Sequence, residues 1–333
     1  MLDVSPSVTE LSLVQAVNLA LRRAMADDPG VLVLGEDVGA DGGVFRATEG
    51  LLGLYGEQRV LDTPLAEVGI IGVSVGLAAQ GFRPVAEIQF TGFAYSCIDQ
   101  LINHAARLRA RTCGRLSCPL VLRSPGGGGI KAIEHHSESP EAMFAHIPGL
   151  KVVIPSSPAR AYGLLLSAIR DPDPVVFVEP TRLYRAARGN VADDGTGLPL
   201  ERCFVLREGQ DVTLVAWGAM VRDTLEAAER LAAERIAAEV IDVATLKPLD
   251  TATILESVSR TGRLVIVHEA PMTGGFGAEI AARVANRALT SLLAPIERVT
   301  GYDTMMPYAR TEAFYMPDAA RIMAAVHRTM AYA

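Results

Sequence analysis

A chain of 333 residues, half of them hydrophobic and 21% charged, holds enough apolar material for two ordinary domains and for contacts with partner chains. Its net charge of -7, without a basic run, speaks against nucleic acid and anionic membrane surfaces as partners. No apolar stretch is long enough to span a bilayer and no basic leader with an apolar core opens the chain, so a cytoplasmic protein is expected, or a mitochondrial matrix protein if a presequence has been removed. Four cysteines, Cys97, Cys113, Cys118 and Cys203, form no CxxC pair and read as reduced structural thiols.

Short β-branched runs alternate with helical periodicity from end to end, the pattern of βαβ units, so the fold class is α/β with largely parallel sheets. The first half carries predicted strands at 31–34, 85–89, 120–123, 152–155 and 175–179. Periodicity stops between 180 and 209, where residues 188–199 are polar and rich in glycine, aspartate and proline. Strands resume at 212–217, 239–243, 264–268 and 296–300, with a helix predicted over 220–235. The expected division is a domain over 1–185, a linker over 186–209 and a smaller α/β domain over 210–333.

Open sheets of this kind bind ligands outside the carboxyl ends of their strands, which directs attention to the residues just beyond each one. After the first strand comes GEDVG at 35–39, in which Glu36 is the candidate for a buried proton relay and Asp37 for a turn cap. Glu67 then opens a helix whose Gly69, Gly72 and Gly76 share one face. Each glycine costs about 1 kcal/mol relative to alanine, and close approach of another helix is the expected return. A carboxylate beside such a junction would be partly desolvated and able to share a proton with a ligand nitrogen. A carboxylate merely favoured by the helix dipole is the simpler alternative.

Beyond 85–89, Phe93 follows Gly92, and its ring suits either a flat heterocycle or the core. The run SPGGGG at 124–129 precedes EHHSESP at 134–140, which suggests a mobile loop ending in paired histidines and a gated site. Ser139 and Pro140 are placed to cap and start the next helix. One of His135 and His136 is expected to serve the site, and no third ligand at zinc-like spacing supports a metal pair. In the second domain, residues 268–277 lack both the third glycine of a dinucleotide fingerprint and a Walker lysine, so they read as a tight turn.

Several segments together, LGEDVG at 34–39, DTP at 62–64 with Glu67 following, GFRPVAEIQF at 81–90, and the stretches 135–158 and 268–281, carry a resemblance over essentially the full chain. The chain resembles the beta subunit of the thiamine-diphosphate-dependent decarboxylating component of 2-oxo acid dehydrogenase complexes. FVEPTRLYRA at 177–186, HEAP at 268–271 and GYDT at 301–304 look closest to the branched-chain (2-oxoisovalerate) type, while the pyruvate and acetoin types share much of the rest.

The resemblance implies a transketolase-like pyrimidine-binding domain followed by a transketolase C-terminal-like domain. It implies oxidative decarboxylation of a 2-oxo acid, in branched-chain amino acid catabolism for the type named, and reductive acylation of a lipoyl group. Glu67 matches the glutamate that binds the cofactor's aminopyrimidine and shares a proton with it. Phe93 matches an aromatic that packs on that ring, which sets aside the core alternative, and Gln89 is placed with these cofactor-binding residues. His136 is implied in reductive acylation and Glu36 in a proton path between two active sites. A potassium site is implied at Leu120, Ala168, Ile169, Asp171 and Asp173, the last standing where relatives carry asparagine.

Enzymes of this type hold magnesium and diphosphate with a Gly-Asp-Gly motif and a later asparagine, whereas Asp41, Gly42 and Gly43 come in the wrong order. The implication is that this chain holds only the pyrimidine half. An alpha subunit in a two-alpha, two-beta heterotetramer would hold the magnesium and diphosphate, and a lipoyl-bearing dihydrolipoyl acyltransferase would take the acyl group. Two readings stand outside this class. A nicotinamide-dependent dehydrogenase would lack its glycine fingerprint, and a noncatalytic scaffold would need neither Glu67 nor the histidine loop.

Overall fold

The computed structural model describes residues 8–332. Strands that lie between neighbours in a parallel sheet are buried on both faces and so read as unbroken apolar runs. Val31–Gly35, Val121–Gly126 and Val175–Pro180 are buried along their whole length. They form the middle of a seven-stranded sheet in the order Thr245–Lys247, Lys151–Val153, Val175–Pro180, Val121–Gly126, Arg83–Glu87, Val31–Gly35, Val60–Asp62. All pairs are parallel except the outermost, Thr245–Lys247 on Lys151–Val153.

The pleat sends alternate side chains to opposite faces. Val33, Val85, Val121 and Phe177 meet helices Leu13–Asp27 and Pro158–Arg170 on one side. Ser12 caps the first of these reciprocally with Gln15, and Ser157 with Pro158 starts the second. On the other side Leu34, Ala86 and Leu122 pack on Ile70 and Ile71 of helix Glu67–Ala79. That cluster continues without a break into a second sheet through Trp217, Ile241 and Ile266, so both halves share one core.

The second sheet has five strands in the order Glu297–Gly301, Leu264–Pro271, Val212–Ala216, Ala238–Asp242, Phe204–Arg207. Helices Met220–Ala233 and Ala319–Met330 cover its outer face. Among the described residues no helix is long and apolar enough to cross a membrane.

Several strands arise where the apolar pattern gives no sign of them. Arg188–Ala192, in the polar segment, pairs antiparallel with Val8–Ser12, and Phe204–Arg207 pairs antiparallel with Ala238–Asp242. Thr245–Lys247 leaves the second half of the chain to close an edge of the first sheet. These edges are short, and each seats an apolar side chain on a core: Val191, Leu206 and Leu246.

One charged residue sits inside the first sheet. Arg123 is 0% exposed and lies between the two strands that carry Glu87 and Glu179. Its Nη1 donates to Glu87 at 2.5 Å, and its Nε and Nη2 donate to the two oxygens of Glu179 at 2.6 and 2.7 Å. Tyr184 also donates to Glu179. Burial raises the pKa of Glu87 and Arg123 opposes the rise, as expected when two carboxylates share one guanidinium.

Candidate active site

Val31–Gly35 lies between Val60–Asp62, which the chain visits next, and Arg83–Glu87, which it visits afterwards. The chain therefore changes direction about this strand, and such switch points open a crevice at the carboxyl ends. Glu36 stands at that end, 6% exposed, with Oε1 lacking a hydrogen-bond partner among the described residues. Burial raises its pKa first, and the negative charges of Glu67 and Asp37 raise it further. The loop is fastened by Asp62, whose carboxylate accepts from the amides of Gly39 at 2.6 Å and Ala40 at 3.1 Å.

Glu67 is the first residue of its helix and follows Ala66, which provides no side-chain cap. Its carboxylate thus lies where unpaired amides and the helix dipole favour an anion. It lies 3.4 Å from Ser96 Oγ, whose one proton it shares as acceptor with the nearer Phe93 O at 2.9 Å. Ser96 therefore joins the acidic side of the crevice to its aromatic side. Gln89 joins the acidic side, its Nε2 donating to Asp37 Oδ2 at 3.3 Å.

Phe93 is half-buried and forms a wall with Phe90, His135 and His136, at ring-centroid separations of 5.7, 5.6 and 5.3 Å. His136 lies edge-on to Phe90 at 4.3 Å. Gly92 makes this contact possible, since a Cβ there would fall 2.1 Å from the His135 carbonyl oxygen. Thr91 Oγ1 and the Gly127 amide both donate to Glu138 O, at 2.8 and 2.9 Å, and Tyr95 donates to the Glu138 carboxylate at 3.0 Å. Burial and then the nearby His135 lower the pKa of His136, leaving its imidazole neutral near neutral pH. His136 Nδ1 is buried without a partner among the described residues.

Two local expectations change. The glycine run is packed rather than free: Cβ atoms at Gly127, Gly128 and Gly129 would meet Glu269, Met306 and Arg182 at 2.3, 2.4 and 2.3 Å. Its glycines serve close approach, with positive φ at Gly127 and Gly129. Ser139 does not cap the following helix, Glu141–His146, because Pro140 takes the cap position and Ser139 Oγ has no partner.

The residues of the expected potassium site are already engaged. Asp171 pairs with Lys151, and Asp173 with Arg109 at 2.6 Å. Leu120 O accepts from Val175 N, Ala168 O from Asp171 N, and Ile169 O from Arg83 Nη1, at 2.9, 3.3 and 3.1 Å. Three cationic side chains, Lys151, Arg109 and Arg83, thus lie against these groups. Each of the three carbonyls named accepts one hydrogen bond and keeps a second lone pair.

A second acidic cluster, between the two sheets, is invisible in the sequence because its members come from distant segments. Glu141 is 3% exposed and accepts from Trp217 Nε1 at 3.2 Å. Burial, reinforced by the charge of Glu269, pushes its pKa up to about 8, and burial pushes Glu269 up to about 7. A carboxyl whose pKa is higher folded than unfolded stabilises fully below the unfolded value and loses that contribution as pH rises through the folded one. For Glu141 the window runs from 4.5 to about 8. The thermal midpoint is expected to fall over this range, and Glu141→Gln to flatten the fall by about one proton's worth of slope. An unchanged slope would show that Glu141 is not the group responsible.

The chain is similar to known proteins over both of its halves. Residues 9–187 match the transketolase pyrimidine-binding domain family, and residues 202–322 match the transketolase C-terminal domain family. A solved structure described as a split-gene transketolase, inactive beta4 tetramer, superposes with a TM-score of 0.81 at 25% identity, covering 97% of this chain and 99% of that one. The chain is 48% identical to the pyruvate dehydrogenase E1 component subunit beta of Leifsonia xyli subsp. xyli over 99% of its own length and 98% of the relative's. The Bacillus subtilis protein of the same name is 48% identical, with coverage of 93% and 96%. The Arabidopsis thaliana 2-oxoisovalerate dehydrogenase subunit beta 2, mitochondrial, is also 48% identical, with coverage of 99% and 92%. With both halves and nearly the whole length accounted for, the chain belongs to the transketolase-like family of E1 beta subunits of 2-oxo acid dehydrogenases.

Proposed function

We propose that this chain is the beta half of a 2-oxo acid dehydrogenase, that it binds the pyrimidine end of thiamine diphosphate, and that its 2-oxo acid is pyruvate. The observation that carries the reading is the meeting of two carboxylates, Glu36 and Glu67, with the Phe93 and His136 wall at one switch point. Glu36 Oε1 and His136 Nδ1 are buried polar atoms with no partner among the described residues, a condition that a bound ligand relieves. When bound, thiamine diphosphate supplies the carbanion chemistry that decarboxylation needs.

The protein's contribution is orientation and proton control. Phe93 offers an aromatic face for the pyrimidine, and Gln89 adds an amide held by Asp37. With the cofactor bound, Glu67 would share a proton with a ring nitrogen of its pyrimidine. Glu36 keeps its own proton to higher pH than an ordinary carboxyl and so is suited to exchange it with Glu67. His136, a neutral imidazole, moves a proton as the acyl group passes to a lipoyl group.

The diphosphate and its magnesium fall to an alpha subunit, because the residues that would hold them are missing from this chain. The helix beginning at Glu67 offers a place for that partner: Leu65, Val68 and Val73 are exposed, and nothing lies within 4 Å of where a Gly76 Cβ would be. A heterotetramer of two alpha and two beta chains follows, with a lipoyl-bearing acyltransferase as the acceptor.

Pyruvate is assigned because the relatives from Leifsonia and Bacillus carry that name. The branched-chain reading keeps the support of the equally similar Arabidopsis relative and of the segments at 177–186 and 268–271. Coexpression with the alpha subunit and a panel of 2-oxo acids separates the two. Pyruvate is expected to exceed 3-methyl-2-oxobutanoate in kcat/KM by about tenfold or more. The reverse ranking selects the branched-chain reading, and turnover by the isolated chain would overturn the division between subunits.

His136→Ala is expected to reduce acylation of a lipoyl domain by about 10²-fold while decarboxylation read with an artificial electron acceptor falls far less. Equal loss in both assays would reject the role given to this histidine.

A further inference from the structure

The loop that carries the paired histidines is held from the other half of the chain. Glu312, on the short helix Glu312–Tyr315, is 4% exposed, and its carboxylate faces the glycine run. It accepts from the Gly129 amide at 2.9 Å and from the Lys131 amide at 3.1 and 3.0 Å through its two oxygens. Glu269, at the end of strand Leu264–Pro271, accepts from the Gly128 amide at 3.2 Å. The amides of Gly128, Gly129 and Lys131 therefore find their acceptors on two carboxylates of the C-terminal half.

Packing tightens the same junction. Met306, Met316 and Arg182 lie where side chains on Gly128 and Gly129 would have to go, so the backbone itself rests on them. Hydrogen bonds from backbone amides to a carboxylate are charge-assisted and directional, and so fix a loop more firmly than neutral contacts do. The turn Glu134–His136 follows immediately and is gripped on its far side by Phe93 and by the close contact at Gly92. A loop fixed at both ends gives its histidine one position.

We propose that Glu312 is a positioning residue for His136: its carboxylate clamps the glycine run and thereby sets where the imidazole stands against Phe90 and Phe93, with Glu269 as the second anchor. The clamp is a matter of geometry alone. Its kinetic consequence rests on the role proposed above for His136.

The test uses the assembled enzyme carrying Glu312→Ala or Glu312→Gln, with two readouts. In the first, Glu312→Ala raises amide hydrogen exchange over residues 127–137 by about tenfold or more and leaves the sheet over 212–267 unchanged. In the second, it lowers kcat for lipoyl-domain acylation by about tenfold, with KM for the 2-oxo acid little altered, because a misplaced group loses rate rather than substrate binding. Glu312→Gln keeps an acceptor oxygen for Gly129 and Lys131 and is expected to recover most of both losses.

Unchanged exchange over 127–137 in Glu312→Ala would overturn the clamp. So would a rise spread through the C-terminal sheet, which would mark a general structural role. A loosened loop with intact acylation would overturn the positioning role. If the wild-type assembly turned over no 2-oxo acid, the functional reading would fail by itself, and the exchange result would still decide the clamp.

Discussion

Glu67→Gln in the assembled enzyme is expected to lower turnover by about 10³-fold, within the range that a positioned proton-transfer group contributes. Glutamine keeps the shape and the acceptor for Ser96 Oγ but cannot share a proton with a ligand nitrogen. The fold should survive the change. Glu67 is half-buried at a helix start, where losing the dipole interaction costs roughly 0.3–1 kcal/mol. Decarboxylation with an artificial electron acceptor and a thermal melt, run side by side, separate lost chemistry from lost structure. Activity within tenfold of wild type would remove Glu67 from the centre of the site.

Arg123→Met is expected to lower the free energy of unfolding by about 3–5 kcal/mol, since removing one partner of a buried ionic network leaves the other charges uncompensated. Here two buried carboxylates, Glu87 and Glu179, lose a common partner that is itself wholly buried. The loss is read from the shift of the urea midpoint. A triple variant with Glu87→Gln and Glu179→Gln should recover much of it, because the stranded charges go as well. A single-site loss below about 1 kcal/mol would mean that water or rearranged side chains take over the guanidinium's role.

The central strands of both sheets are legible because burial on two faces leaves an uninterrupted apolar run, as at 31–34 and 175–179. Glu36 is legible as a carboxylate just past such a strand. What the pattern could not reveal depends on contacts distant in sequence. Arg188–Ala192 is a strand only because Val8–Ser12 lies beside it. The glycine run looks like free chain until Glu269, Met306 and Arg182 are seen pressed against it. Residue type alone favours the core for Phe93; the resemblance points instead to a cofactor face, and the ring stands beside His135 and His136. Arg123, a charge in an apolar strand, gives no local hint that Glu87 and Glu179 flank it.

The edge strand Thr245–Lys247 belongs to one half of the chain by sequence and to the other by its ladder. A gene shuffled between relatives at the polar segment near residue 200 would import a foreign edge for the first sheet along with the second. Functional hybrids must therefore match at Lys151–Val153 and at Thr245–Lys247 together, so these two stretches, far apart in the gene, should be inherited as a pair.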